Sequence, residues 1–206
     1  MTVSSSLFYA AITFLAGVGF LAAWLYATAE NARSTRILVK SVVLFVVPGV
    51  ALASVPPRFL HSEMAVFAAI LAEEVLKAVA SLTENNEYDR FWLICLFGIW
   101  ELTLAKPVWG ITHYNIIENL DKLQLVGLTL GGCVTVLMHS VTAKIYCSRL
   151  LRKIGLALIV AWAFHATFDE AVRLFVVSFR ELSIVAIVLV AIFIAMPPQV
   201  MRLESH

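Results

Sequence analysis

Residues 69–80 read AILAEEVLKAVA, and this stretch decides the fold. With its neighbours from Met64 to Leu82 it forms an apolar run close to the roughly 20 residues that a bilayer-spanning helix needs, yet Glu73, Glu74 and Lys77 stand in its middle. An ionised side chain at the bilayer centre costs a few kcal/mol on insertion scales, so each requires a partner, a cavity or a function. At about 100° per helical residue, Glu74 sits about 100° from Glu73 and Lys77 comes round to about 40°, between them. All three share one face. Lys77 can neutralise Glu73 at i,i+4 or Glu74 at i,i+3, fixing helix register, but one carboxylate is then left over.

The rest of the chain agrees with a lipid setting. Of 206 residues 61% are hydrophobic and 14% charged, and the mean hydropathy is +0.91; these values lie outside the range of a soluble globular domain. Besides Met64 to Leu82, apolar stretches run from Leu7 to Ala27, Ile37 to Val55, Phe91 to Ala105, Leu123 to Ala143 or on to Cys147, Ile154 to Phe175 and Leu182 to Met196. Lipid cannot satisfy exposed backbone groups, and no ten-residue alternation of a membrane barrel is present. The expected fold is therefore all-α: a polytopic membrane helix bundle of about seven transmembrane helices, one domain over residues 1–206.

No basic segment precedes the first apolar stretch, so Leu7 to Ala27 reads as a retained span. Arg33, Arg36, Lys40, Arg90, Lys144, Arg149, Arg152, Lys153 and Arg202 fall on one side, against Arg58, Lys106, Lys122, Arg173 and Arg180 on the other. The positive-inside rule then puts the N-terminus outside and the C-terminus in the cytoplasm. The membrane is a bacterial-type cytoplasmic membrane if the source is prokaryotic and an endomembrane if it is eukaryotic. A net charge of +1 excludes a nucleic-acid surface built on a positive field. Cys95, Cys133 and Cys147 are scattered without a CxxC pair, which suggests neither a disulfide framework nor a thiolate zinc site. Pro48-Gly49 predicts a kink, Gly127-x-x-x-Gly131 with Gly132 a close helix approach, and residues 106–122, KPVWGITHYNIIENLDK, an interfacial segment with aromatic anchors.

Three further spans carry ionisable groups. FGIWE places Glu101 one turn after Phe97, with no basic neighbour on its own helix; because this span is short, a helix-end carboxylate reaching the interface is the plain alternative. AWAFHATFDEAVRLF sets His165, Asp169 and Arg173 at i, i+4 and i+8 on one face, where Asp169 can accept from His165, pair with Arg173, or do both. His139, in VLMHS, is alone on its helix. Measured from the cytoplasmic span ends at about 1.5 Å per residue, Glu74, Glu73, Glu101 and His165 lie about 12 to 16 Å deep, and His139 joins them at about 12 Å if its span runs to Cys147. Asp169 comes out nearer 22 Å. Different helices thus aim carboxylates and imidazoles at a common layer, the way sites inside helix bundles are built.

Charge narrows what that layer is. Glu73, Glu74, Glu101 and Asp169 against Lys77 cannot all stay ionised in a low dielectric. Protonated carboxylates, charged His139 and His165, Arg173, or a bound divalent cation such as zinc would each compensate, the cation drawing on Glu74, Glu101, His139 and His165. There is no HExxH helix of the usual zinc protease.

Taken in order, Glu73-Glu74-x-x-Lys77, Phe97-x-x-x-Glu101, His139 and His165-x-x-x-Asp169 resemble the PrsW branch of the CPBP, or Abi, intramembrane proteases over about residues 64–175. In the relatives that process prenylated proteins the first, second and fourth motifs end in Arg, His and Asn; here they end in Lys77, Glu101 and Asp169, and the first two favour the PrsW side. The resemblance implies an endopeptidase that cuts a membrane-tethered protein substrate, of the anti-sigma-factor kind for PrsW-like members. It also implies that Glu73 or Glu74 activates water, that His139 and His165 steady the oxyanion or hold a metal, that Asp169 orients His165, and that Glu101 is a second carboxylate for the water or the ion. Two other classes use such residues: a proton-coupled transporter, although no internal repeat is visible, and a non-catalytic membrane scaffold related to the Aph subunit of gamma-secretase.

Overall fold

The computed structural model describes residues 4–29, 33–54, 63–148, 153–175 and 179–195. Among them there is helix and no strand. The order is α1 (Ser5–Thr28), α2 (Arg33–Ser41), a π-helical turn (Val42–Val46), α3 (Val47–Ala53), α4 (Glu63–Leu82), α5 (Glu87–Trp100), a second π-helical turn (Glu101–Ala105), α6 (Lys106–Thr112), α7 (Tyr114–Ile117), α8 (Lys122–Cys147), α9 (Ile154–Phe175) and α10 (Phe179–Ala195). Five helical stretches are long and apolar enough to cross a membrane: Ser5–Thr28, Ser34–Ala51, Glu87–Thr112, Lys122–Cys147 and Ile154–Ala171. Helix also covers the two other expected stretches. However, α4 carries Glu73, Glu74 and Lys77 in its middle, and Ser183–Ala195 is short.

Both π turns stand just before or around a proline, Pro48 and Pro107. Proline has no N–H for the i→i−4 ladder and its ring crowds the carbonyl one turn back, so a widened turn lets the helix continue where an α turn would break. In the second turn the backbone N–H of Lys106 reaches the Glu101 carbonyl, the i to i+5 bond of a π-helix. This corrects the fourth span: instead of a short helix over Phe91 to Ala105, one helical rod runs from Glu87 to Thr112. Glu101 is thus in its interior, and the helix-end reading of that carboxylate falls away. Of the segment read as interfacial, residues 106–112 continue the rod as helix and Tyr114–Ile117 form a further short helix. The fifth span takes its longer form and ends at Cys147.

The rod of α5 and α6 and the helix α8 form the centre, 56% and 61% buried along their apolar windows against 17–28% for the other three crossing-length helices. Leu93, Ile94, Leu96 and Met138 are fully enclosed between them. The outer helices turn Leu15, Val43, Val47, Leu82, Ile187 and Ile194 outward, an apolar exterior of the kind lipid covers. Glycine sets two approaches near the centre. A Cβ on Gly17 would stand 2.6 Å from the Thr103 Cα, so α1 lies directly on the second π turn, and a Cβ on Gly98 would stand 2.6 Å from the His139 Cδ2. Helix ends are tied by side chains: Asp121 and Gln124 form a reciprocal cap at the start of α8, and the Glu118 carboxylate accepts the Ser5 and Ser6 N–H groups at the start of α1. Cys95, Cys133 and Cys147 are free thiols. Four charges of the orientation count, Arg58, Arg149, Arg152 and Arg202, lie outside the described residues.

Candidate functional site

The site begins with the ambiguity in α4. Lys77 closes on Glu74, at i,i+3, and both side chains are fully buried. The Glu74 carboxylate also meets His165 Nδ1 at 2.8 Å and accepts the Tyr146 hydroxyl at 3.1 Å. Three donors from three helices therefore converge on one carboxylate, and the Lys77 ammonium is also held 4.6 Å above the Phe97 ring. Glu73 is the carboxylate left over. Its side chain is 22% exposed, and its nearest basic neighbour among the described residues is His165 Nε2 at 3.9 Å, beyond hydrogen-bonding distance.

A second imidazole is pinned in the same way from the other side. His139 Nε2 meets Glu101 Oε2 at 2.6 Å, while Glu101 Oε1 meets Lys106 Nζ at 2.9 Å. The π turn explains this pairing, since i and i+5 are bonded neighbours in π geometry and lie about 140° apart around an α-helix. His139 is completely enclosed, and its Nδ1 has no partner among the described residues. The two imidazoles meet edge to face with centroids 5.3 Å apart, so the expected layer exists as a contact. One donor atom each from Glu73, His139 and His165 lie within 4.8 Å of one another.

The partners decide the tautomers. A carboxylate accepts, so in the neutral rings the His139 N–H is assigned to Nε2 toward Glu101 and the His165 N–H to Nδ1 toward Glu74. Each ring then has one bare lone pair, on His139 Nδ1 and on His165 Nε2. A carboxylate that fixes a histidine's tautomer while the other nitrogen stays free is the usual outer arrangement of ligating and catalytic histidines.

This redistributes the roles expected from the sequence. Asp169 Oδ2 stands 3.6 Å from His165 Nε2, too long for a hydrogen bond, so Glu74 orients His165 and Asp169 flanks it; the Arg173 side chain lies outside the described ones. Glu74 and Glu101, expected among the metal ligands, have both oxygens occupied by hydrogen bonds, and Glu73 takes their place beside the two histidines. Tyr146, Lys106 and Tyr9 were not foreseen. Tyr146 carried a signal, being seven residues from His139 and hence on the same face of α8.

Glu73, Glu101 and Lys106 line a cavity of about 320 Å³ whose other walls are mostly apolar: Phe45, Val46 and Val50 around the first π turn, Phe97, Trp100, Leu104 and Trp109 along the central rod, Ala69, Leu128 and Tyr9. This volume is at the lower end for a small-ligand pocket. Trp100 donates its indole N–H to Ser41 Oγ at 2.7 Å, which ties the rod to α2 at the cavity wall. Chemically, the assembly offers the Glu73 carboxylate and one lysine on the wall of an apolar cavity, with two buried, oriented imidazoles next to that carboxylate. Comparison with protein-family models, curated proteins and solved structures finds no match for this chain.

Proposed function

We propose that this protein is an intramembrane endopeptidase that hydrolyses a peptide bond of a membrane-tethered protein, with Glu73 as the base. The observation that carries the reading is the contrast between Glu73, which faces the cavity with no bonded cation, and the two histidines beside it, each held by its own carboxylate. A buried arrangement built only for stability would close every charge on a partner.

In this reading the substrate's extended segment enters the apolar cavity, and Glu73 takes a proton from a water held between it and the bare nitrogen of His165. The water oxygen bonds to the carbonyl carbon, and the carbonyl π pair moves onto oxygen. The tetrahedral species collapses as the C–N bond breaks, and the proton held by Glu73 passes to the leaving amine, which leaves a carboxylic acid and an amine; the acid then gives its remaining proton to solvent. Glu74 with Lys77 and Tyr146 holds His165, and Glu101 with Lys106 holds His139, so both rings are oriented before substrate arrives.

The same donor set fits a divalent cation such as zinc: two imidazole nitrogens and a carboxylate oxygen within 4.8 Å, with His139 Nδ1 buried and unpartnered. Glu73, His139 and His165 would hold it. When bound, such an ion polarises a carbonyl and acidifies a water.

In the membrane, α4 and α10 complete a seven-helix crossing with the N-terminus outside and the C-terminus cytoplasmic, surrounded by membrane lipids. The PrsW-like motif order supports a substrate of the anti-sigma-factor kind. The test is the purified protein in liposomes with a tethered peptide reporter, comparing wild type with Glu73→Gln and His165→Ala. Cleavage is expected only in wild type; cleavage surviving both changes removes the proposed site, and proton flux without cleavage favours a transporter. A chelator in the same assay separates a metal-dependent reaction from one run by Glu73 and water alone.

A further inference from the structure

We infer that Lys106 and Tyr9, rather than the histidines, supply the donors for the tetrahedral oxygen. This rests on the endopeptidase reading and deepens it. A neutral imidazole has one N–H, and both are spent: His139 Nε2 on Glu101 at 2.6 Å and His165 Nδ1 on Glu74 at 2.8 Å. The oxygen that gains charge in the transition state then needs donors from the cavity wall. Trp100 is already committed to Ser41.

Of the other donors on the cavity wall, two, Lys106 and Tyr9, pack around the second π turn and the helix that follows it. Lys106 lines the cavity with its side chain one third exposed, and with one N–H bonded to Glu101 Oε1 its ammonium keeps two more donors. Lys77 is different: it is sealed against Glu74 with no exposed surface and does not line the cavity. Tyr9 is only 1% exposed and lines the same cavity as Lys106 and Glu101, and its hydroxyl makes no hydrogen bond to a described residue. Its ring is held by shape. A Cβ on Gly110 would stand 2.4 Å from Tyr9 Cδ1, and Trp109 meets the ring edge-on at 6.4 Å. The π turn that swings Lys106 onto the Glu101 side is what brings this cation to the cavity wall that Glu73 also lines.

The catalytic division is then between two walls: Glu73 handles the water proton while Lys106 and Tyr9 receive the carbonyl oxygen as its charge grows. The proton count of the hydrolysis is unchanged, because neither donor gives up its proton.

The test uses the full chain in liposomes and the tethered reporter, with Lys106→Met, Lys106→Arg and Tyr9→Phe. Loss of one such donor lowers kcat by about 10²–10³-fold in known oxyanion sites. Lys106→Met is expected to show this loss with KM little changed, Tyr9→Phe a smaller loss in kcat, and Lys106→Arg a partial rescue. A phosphinate analogue of the reporter, tetrahedral and anionic, should lose affinity in parallel with kcat. Tyr9→Phe leaves the Glu101–Lys106 pair in place, so it decides the matter even if Lys106→Met fails to fold. Wild-type cleavage with kcat and phosphinate affinity unchanged in Tyr9→Phe or in folded Lys106→Met, or losses confined to KM, overturns the inference while the endopeptidase reading stands. A wild-type protein that does not cleave overturns both.

Discussion

Two ionic clusters in this molecule use the same residue types to different ends. Where α2 meets the turn between α4 and α5, Arg36 bonds Glu84 at 3.0 Å and Asp89 at 2.6 Å, Lys40 also reaches Glu84, and Arg90 donates to the Glu84 carbonyl at 2.9 Å. Both carboxylates are nearly fully buried, and both close on cations. In the bundle interior Glu74 does the same with Lys77, but for Glu73, one residue away, the nearest basic group among the described residues is an imidazole at 3.9 Å, and its side chain lines a cavity. Charges that close on one another hold helices together. A charge left open beside oriented histidines has chemistry still to do.

If that distinction is right, the interior pair should part under mutation. Glu74→Gln strands a buried ammonium and frees His165 and Tyr146, so it should cost about 3–5 kcal/mol of stability along with activity, measured by thermal unfolding in lipid and by reporter cleavage. A stable, active Glu74→Gln protein would erase the contrast with Glu73. Gly98→Ala comes next. Its new Cβ must push the His139 ring or spread α5 from α8, at about 1–3 kcal/mol, and cleavage should fall because Glu101 and His139 lose register. Normal cleavage in that variant would mean that His139 need not sit where it does.

The helix-end cluster should respond in stability alone. Arg36→Met removes the cation from Asp89 and one of two from Glu84, for about 1–2 kcal/mol, with reporter cleavage per folded molecule unchanged. A loss of turnover there would show the two clusters to be coupled.

The smallest effect is at the start of α1. The Ser6 N–H, with that of Ser5, holds the Glu118 carboxyl below its ordinary range. A depressed carboxyl contributes stability above its unfolded pKa, about 4.3, and that contribution is lost as pH falls through the lower folded value. Amide-exchange protection of the first turn of α1 should therefore fall in acid, and Glu118→Gln should make it low and flat with pH.

Much of the bundle was legible because long apolar runs force helices in lipid. The shared face of Glu73, Glu74 and Lys77 followed from helical period alone. Which glutamate takes Lys77 did not, since i,i+3 and i,i+4 are both good spacings; the choice depends on His165 and Tyr146, 91 and 72 residues further along the chain. Lys106 was hidden for a different reason. Followed by Pro107, it reads as lying just past the end of its span, and only a π turn keeps it helical and turns it toward Glu101. The period of 3.6 that locates most membrane helix faces fails at that one turn.

The central claim is that Glu73 works while Glu74 holds, and it is tested most directly by measuring cleavage and thermal unfolding of Glu73→Gln in the same liposomes. Turnover about 10³-fold lower with an unfolding midpoint equal to wild type is the predicted result. Undiminished turnover, or a midpoint that drops as far as that of Glu74→Gln, would contradict it.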